Sequence, residues 1–280
     1  MKTLYVTDLD GTLLDADARI SPATSRLISE LTEAGALISV ATARTPATVE
    51  PLLDGTLTGP DLVVMTGAAL WNRTSRRYDD LRLLAENDVR TIVDTTERHG
   101  LHLFGYDVRP DGFIEVYHPA PSLTDVEERF VSLRRNLQLK HFNLGTPLPE
   151  SDYASTALFF GMGTYEGIRT LATALQATTG CYVSYYKDIY LDDVWLIEIF
   201  AGGVSKAGGI ERLRRRTGAD RVVTFGDNLN DIPMLRAADL GVAVGNALPE
   251  TKATAGIVIG PNTADSVARF IADDFARSES

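Results

Sequence analysis

Short apolar runs alternating with helix-spaced segments set the rhythm of the first 67 residues. Leu4-Tyr5-Val6-Thr7 is β-prone and apolar apart from its threonine, which predicts a buried strand. Ser21-Pro22 joins an N-cap to proline at the first helical position. Leu27, Ile28, Leu31 and Ala34 then recur at helical spacing, and Gly35 stands where a C-terminal cap belongs. Residues 37–41 read as a second strand, Thr45-Pro46 repeats the cap-and-proline signal for a second helix, and residues 61–65 read as a third strand ending at Thr66-Gly67. A strand–helix–strand–helix–strand order predicts a parallel sheet with helices on its faces.

From residue 84 to residue 187 the pattern changes. A helix is expected over 86–99, then strands over 101–106 and 113–118 across the turn Pro110-Asp111-Gly112. Thr124-x-x-Glu127 is a capping box for a helix reaching residue 136. A strand over 155–161, a helix over 165–178 and a strand over 181–186 follow. Paired strands with single helix–strand units predict a mixed α+β domain inserted into the first.

The opening rhythm then resumes. A strand over 194–200 precedes a helix from Lys206 to Arg216, and a strand over 221–225 closes on Gly226-Asp227-Asn228-Leu229-Asn230-Asp231. A strand over 240–244, a helix at Pro249, a strand over 256–259 and a helix from Thr263 complete the chain. The expected fold class is α/β, with a Rossmann-like parallel-sheet core formed by 1–83 and 188–280 and an α+β insert over 84–187.

Composition narrows the partners. Lys and Arg number 27 against 38 Asp and Glu, and the resulting charge of −11 argues against nucleic acid or an anionic membrane as the main partner. No apolar run of about 18 residues offers a membrane span. Asp8 and Asp10 interrupt the N-terminus before the apolar stretch of a signal peptide could develop. Cys181 is the single cysteine, which fits a reducing compartment. A soluble, cytoplasmic protein is expected.

Candidate chemistry collects at strand ends, where ligands bind in sheets of this kind. Asp8 and Asp10 bring two carboxylates to the end of the first strand, and Gly11 lets the strand break into a loop. Like charges this close repel, whereas a divalent cation with oxygen ligands would accept them. Asp10-Gly11 after a strand is equally a hairpin-turn signal, and residues 8–12 alone do not separate the two readings. Later stretches add the Thr42 hydroxyl, the Lys206 ammonium at a helix start, and the oxygens of Asp227, Asn230 and Asp231. Carboxylates and carbonyls suit Mg²⁺, while a hydroxyl, a lysine and backbone N–H groups suit a phosphate.

Taken in order, Asp8-x-Asp10-Gly11-Thr12, the strand-end Thr42, Lys206 and Gly226-Asp227-x-x-Asn230-Asp231 resemble the haloacid dehalogenase superfamily of phosphatases across nearly the whole chain. The insert resembles the type-IIB cap of the Cof-type branch. The resemblance implies that Asp8 is the nucleophile, forming an aspartyl phosphate, and that Asp10 is the general acid and base. It implies Mg²⁺ bound by Asp8, the Asp10 carbonyl and Asp227. It also implies phosphate held by Thr42, Lys206, Asn230 and backbone N–H groups near Leu9, with Asp231, Thr12, Ala43 and Arg44 close behind.

The implied activity is Mg²⁺-dependent hydrolysis of a small-molecule phosphate ester, sugar phosphates foremost, with the cap reading the substrate. A phosphomutase or phosphotransferase with the same nucleophile, or a non-enzymatic phosphate-sensing module, is the alternative. Three positions depart from the branch pattern: Ala43 and Ser266 replace glycine, and Thr66 replaces asparagine.

The remaining candidates read more plainly. His99, His102, His118 and His141 lie in the insert without metal-ligand spacing. Trp71 and Trp195 read as packing residues, and Arg212, Arg214, Arg215 and Arg216 as the solvated end of a helix. Polar residues near turns of the insert, such as Tyr106, Arg109 and Tyr186, are candidates for facing the substrate.

Overall fold

In the computed structural model, which describes residues 1–59, 61–109, 111–188 and 191–278, the first apolar run becomes β1 (Thr3–Thr7), buried along its whole length. A tight helical turn at Leu9–Leu13 leads to α1 (Pro22–Glu33), where the Ser21 hydroxyl accepts the Thr24 N–H as a cap. Then come β2 (Leu37–Val40), α2 (Pro46–Val49), β3 (Asp61–Val64), β4 (Ala69–Asn72) and β5 (Arg77–Asp79). The middle of the chain forms α3 (Glu86–Arg98), β6 (Phe104–Val108), β7 (Ile114–His118), α4 (Asp125–Ser132) and β8 (Lys140–Leu144). It continues as β9 (Thr156–Gly163), α5 (Tyr165–Thr178), β10 (Tyr182–Lys187) and β11 (Trp195–Phe200). The last stretch holds α6 (Lys206–Thr217), β12 (Arg221–Gly226), α7 (Ile232–Ala237), β13 (Leu240–Ala243), α8 (Pro249–Thr254), β14 (Ile257–Val258) and α9 (Ser266–Ser278).

Residues 1–79 with 205–280 make one unit and residues 80–204 the other. The first carries a five-stranded parallel sheet in the order β14-β13-β12-β1-β2. Parallel strands require crossovers that cover the sheet, and Leu4, Val6, Ile210, Leu213, Val222 and Met234 are buried together beneath them. β1 lies between β12 and β2, where the strand order reverses. The carboxyl ends of these three strands are therefore the place for a ligand.

Three details differ from expectation here. β3 meets the parallel sheet through a single bridge, Ala41 to Val63, and otherwise heads an antiparallel sheet β3-β4-β5. α2 is one turn long, and the Thr45 hydroxyl caps nothing. The arginines at the end of α6 are anchored as well as solvated: Arg214 pairs with Asp239, and Arg216 with Asp61 and Asp79.

The second unit has a six-stranded sheet, β10-β11-β9-β6-β7-β8, antiparallel except for the β7–β8 pair. Residues of α3 and α5, among them Val89, Ile92, Ile168 and Leu171, pack with Phe159, Ile197 and Ile199 of the sheet. The strand at Trp195–Phe200, expected to rejoin the parallel sheet, pairs instead with β10 and β9. Antiparallel neighbours need a short connection, whereas a parallel return needs a crossover, and only a few residues separate β10 from β11. The insert thus spans 80–204 where 84–187 was expected.

β8 follows α4, which supplies the crossover a parallel pair requires. The expected Pro110 turn lies outside the described residues at Pro110 itself, while Gly112 has φ +88°. Tyr106 is buried within the unit, and Arg109 is tied to Asp107 and Asp152. His118 is buried against Glu127. No helix of the described residues is long and apolar enough to cross a membrane.

Candidate active site

Buried charge concentrates at the end of β1. The Asp8 N–H donates to the Phe225 carbonyl at 2.9 Å, extending the ladder so that the Asp8 carboxylate emerges beside the end of β12. Lys206, the first residue of α6, donates from Nζ to Asp8 Oδ1 at 2.6 Å and to Asp231 Oδ1 at 2.7 Å. All three side chains are buried. The second Asp231 oxygen accepts the N–H groups of Asp227 and Asn228 at 3.0 and 3.2 Å, which folds this loop back on itself.

One oxygen from each of Asp8, Asp227 and Asp231 lies within 4.8 Å of the others. Three carboxylates around one ammonium leave the site too negative. Burial pushes the Asp8 carboxyl up despite Lys206, and Asp231 adds to the push. Burial and Asp231 together raise Asp227 to about 6. Burial alone would lower the Lys206 ammonium, but Asp231 and Asp8 outweigh it and hold the proton firmly.

The donor set fits a hard divalent cation. Lys206 and two backbone N–H groups engage both Asp231 oxygens and Asp8 Oδ1, leaving Asp8 Oδ2 and the Asp227 carboxylate. The Thr12 hydroxyl steadies Asp227 Oδ1 at 3.2 Å. Two carboxylates are what a magnesium-sized ion takes, and the cluster of described residues contains no imidazole or thiolate to favour a softer metal.

Gly11 adopts φ +76°, and a Cβ there would collide with the Asp227 carboxylate. Both the turn and that close approach require glycine. The chain breaks at Gly11 as expected, into a helical turn and not a hairpin. That turn carries Asp10 out of the cluster. Its side chain is 45% exposed, and its oxygens accept from Arg44 Nε at 2.7 Å and Arg44 Nη2 at 2.6 Å.

The other expected residues divide between the interior and the surface. Thr42 is buried, its hydroxyl accepting the Arg44 N–H at 3.2 Å and its carbonyl the Thr66 N–H at 2.9 Å. Leu9 is buried, and Ala43 does not adopt a positive φ, so nothing is strained by the missing glycine there. Asn230 is exposed on the turn Leu229–Asp231 and outside the carboxylate cluster.

Two features carried no signal in the sequence. Asn246 Nδ2 donates to the Gly11 carbonyl at 2.7 Å, its Oδ1 accepts the Asn262 N–H at 2.9 Å, and Asn262 Nδ2 donates to the Leu14 carbonyl at 2.7 Å. This relay straps the Asp10 turn to the C-terminal segment. Thr66, in turn, sits in left-handed backbone with a buried hydroxyl. An open groove of about 760 Å³ bordered by Glu50, Leu53, Thr56 and Arg73 includes none of the site residues. Arg73 serves there as a clasp, donating to Glu50 and to the Leu53 and Thr56 carbonyls.

The chain is also similar to known proteins along most of its length. A family model of haloacid dehalogenase-like hydrolases matches residues 5–271. The chain is 27% identical over 268 residues to a pyridoxal phosphate phosphatase of Escherichia coli, covering 94% of this chain and 95% of that one. It is 25% identical over 270 residues to a 5-amino-6-(5-phospho-D-ribitylamino)uracil phosphatase of Bacillus subtilis, covering 96% and 94%. Among solved structures, a haloacid dehalogenase-like hydrolase from Bacteroides thetaiotaomicron superposes with a TM-score of 0.79 at 22% identity, covering 98% and 99%. A subclass IIB sugar phosphatase superposes with a TM-score of 0.72 at 19% identity, covering 98% of each chain. At those identities the structural likeness speaks for the fold.

Proposed function

Because the chain belongs to the haloacid dehalogenase-like hydrolases, we propose that it is a Mg²⁺-dependent phosphomonoesterase acting on a small phosphorylated metabolite. The observation that carries this reading is the buried Lys206 joining Asp8 to Asp231, with the Asp227 carboxylate in the same cluster. A carboxylate approaching a phosphate dianion at about 4 Å in an effective dielectric near 20 meets repulsion of about 8 kcal/mol. Mg²⁺ held by Asp8 and Asp227 would supply the positive charge that offsets it. Lys206 adds a fixed cation beside the nucleophile.

Asp8 attacks phosphorus, the phosphorus–oxygen ester bond breaks, and the departing alkoxide takes a proton from Asp10. Water then gives a proton to Asp10 and attacks the phosphoryl group, breaking its bond to Asp8 and releasing inorganic phosphate. Arg44 orients Asp10 by gripping both of its oxygens, and it must release one for the proton to reside there. Thr42 and the N–H groups of Leu9 and Asp10 hold the phosphoryl oxygens, with Asn230 at the edge of that set. The cluster recognises phosphate alone, so we assign the choice of ester to residues 80–204. Pyridoxal phosphate, a phosphoribitylaminouracil and sugar phosphates are the esters that the names of relatives and structural neighbours support.

The test is phosphate release from a panel of these esters, with Mg²⁺ and with EDTA, beside Asp8→Asn. Release that needs both Mg²⁺ and Asp8 is expected, and turnover retained by Asp8→Asn would sink the assignment. Phosphate passed between sugars without free phosphate would identify a phosphotransferase instead.

A further inference from the structure

Thr66 stands out among the residues around the cluster. It has φ +56° and ψ +20°, directly after Met65 at φ +50°. Left-handed backbone is a genuine outlier for a β-branched residue and costs about 1–3 kcal/mol. Its hydroxyl is also buried without a hydrogen-bond partner, a further cost of about 1–3 kcal/mol. Asparagine, the residue of the related branch, tolerates this backbone far better. The chain therefore bears two penalties at one position, and the hydroxyl gains no hydrogen bond within the protein.

The position explains what the hydroxyl could do. Thr42 donates to Val63, Met65 donates to Arg44, and Thr66 donates to the Thr42 carbonyl, so the two strand ends are zipped together. On the other side, a Cβ on Gly67 would collide with the Ser205 carbonyl and lie 3.2 Å from the Lys206 backbone nitrogen. Thr66 is thus bonded to Thr42, and the residue after it abuts the start of α6, the two places proposed to supply phosphate-binding groups. Its burial is like that of the residues assigned to the phosphate. Thr66 is 7% exposed, against 6% for Asp8, 3% for Lys206 and 1% for Thr42.

We propose that the Thr66 hydroxyl is a further substrate-binding group, donating a hydrogen bond to an oxygen of the phosphoryl group alongside Thr42 and Lys206. This rests on the phosphomonoesterase reading for its ligand, but its test does not depend on turnover. The strained backbone holds the donor in place before substrate arrives, and the phosphoryl oxygen satisfies a hydroxyl that the folded chain leaves unpaired.

The experiment compares Thr66→Val, which keeps the shape and loses the hydroxyl, with Thr66→Ser, which keeps the hydroxyl. Binding of inorganic phosphate is measured by calorimetry with saturating Mg²⁺, ester hydrolysis is measured in parallel, and thermal midpoints confirm folding. Thr66→Val should weaken phosphate binding about tenfold, the loss of one hydrogen bond to a charged group, with an unchanged or higher midpoint. Thr66→Ser should bind within about threefold of wild type. Equal phosphate binding by wild type and folded Thr66→Val overturns the inference, even if ester turnover falls. Thr66-dependent phosphate binding in a protein that hydrolyses no ester supports the inference and refutes the hydrolase reading. A wild type that binds no phosphate overturns the inference, and one that also hydrolyses no ester refutes both.

Discussion

Lys140 carries a buried ammonium in the second unit. It lies on β8, 5% exposed, with Nζ 4.9 Å from the Tyr106 ring and 6.0 Å from the Phe142 ring. Among the described residues no carboxylate pairs with it. Burial first, and then the nearby Arg134 charge, lower its ammonium from 10.5 to about 7. Below 7 both folded and unfolded chains carry the charge, and the folded state bears the full cost of burying it. As pH rises towards 10.5 the folded chain sheds the proton first, and the cost fades.

The interval from 10.5 to about 7 corresponds to about 5 kcal/mol. Cation–π attraction of about 0.5–2 kcal/mol trims it to about 3–4.5 kcal/mol. Lys140→Met, an unbranched apolar replacement, should therefore stabilise the fold by about 3 kcal/mol at pH 6.5, an advantage shrinking by about 2 kcal/mol towards pH 9. Urea unfolding followed through Trp195, in a Trp71→Phe background so that the second unit alone reports, gives both numbers. An advantage absent at pH 6.5, or constant to pH 9, would refute the assignment of a buried, unpaired ammonium.

Gly11→Ala should cost about 1–2 kcal/mol through its left-handed backbone. It should also raise the Mg²⁺ concentration for half-activity more than tenfold, because the new methyl displaces Asp227. A metal titration unchanged from wild type would contradict the fit of that carboxylate. Asp231→Asn has no satisfactory amide orientation: either its NH₂ faces the Lys206 ammonium or it faces the N–H groups of Asp227 and Asn228. A loss of about 3–4 kcal/mol in denaturant unfolding is expected, the usual result of breaking a buried ion pair. A loss below about 0.5 kcal/mol, the range of an ordinary surface change, would contradict that geometry.

What was legible in the sequence follows the range of the interactions concerned. Ser21-Pro22, the Thr124–Glu127 capping box and the Asp10-Gly11 break are settled by neighbours, and the structure has all three. The residues of the cluster were also legible, because each strand end carries its chemistry in a few consecutive positions. Sheet membership was not. β11 has the composition of a parallel-sheet strand, and nothing local says that the chain will turn back onto β10. β8 and α7 are short and weakly periodic, and they take shape against other elements, β8 against β7 and α7 against α6 and β13. The Asn246–Asn262 relay joins residues 11–14 to the C-terminal segment and has no local signature at all.

Asp8 and Asp10 show why local reading reaches the residues and stops short of their environments. In an extended strand, residues two apart share a face, and two carboxylates there would be expected to share one cation. The helical turn that begins at Leu9 undoes that alternation. Asp8 stays in a dry cluster under Lys206, while Asp10 swings to an exposed position in the grip of Arg44. The roles proposed for them, nucleophile and proton carrier, need different surroundings, and carboxylates side by side on one metal could not have them. Gly11, inside that turn and pressed against the Asp227 carboxylate, is therefore where a replacement should disturb metal binding first.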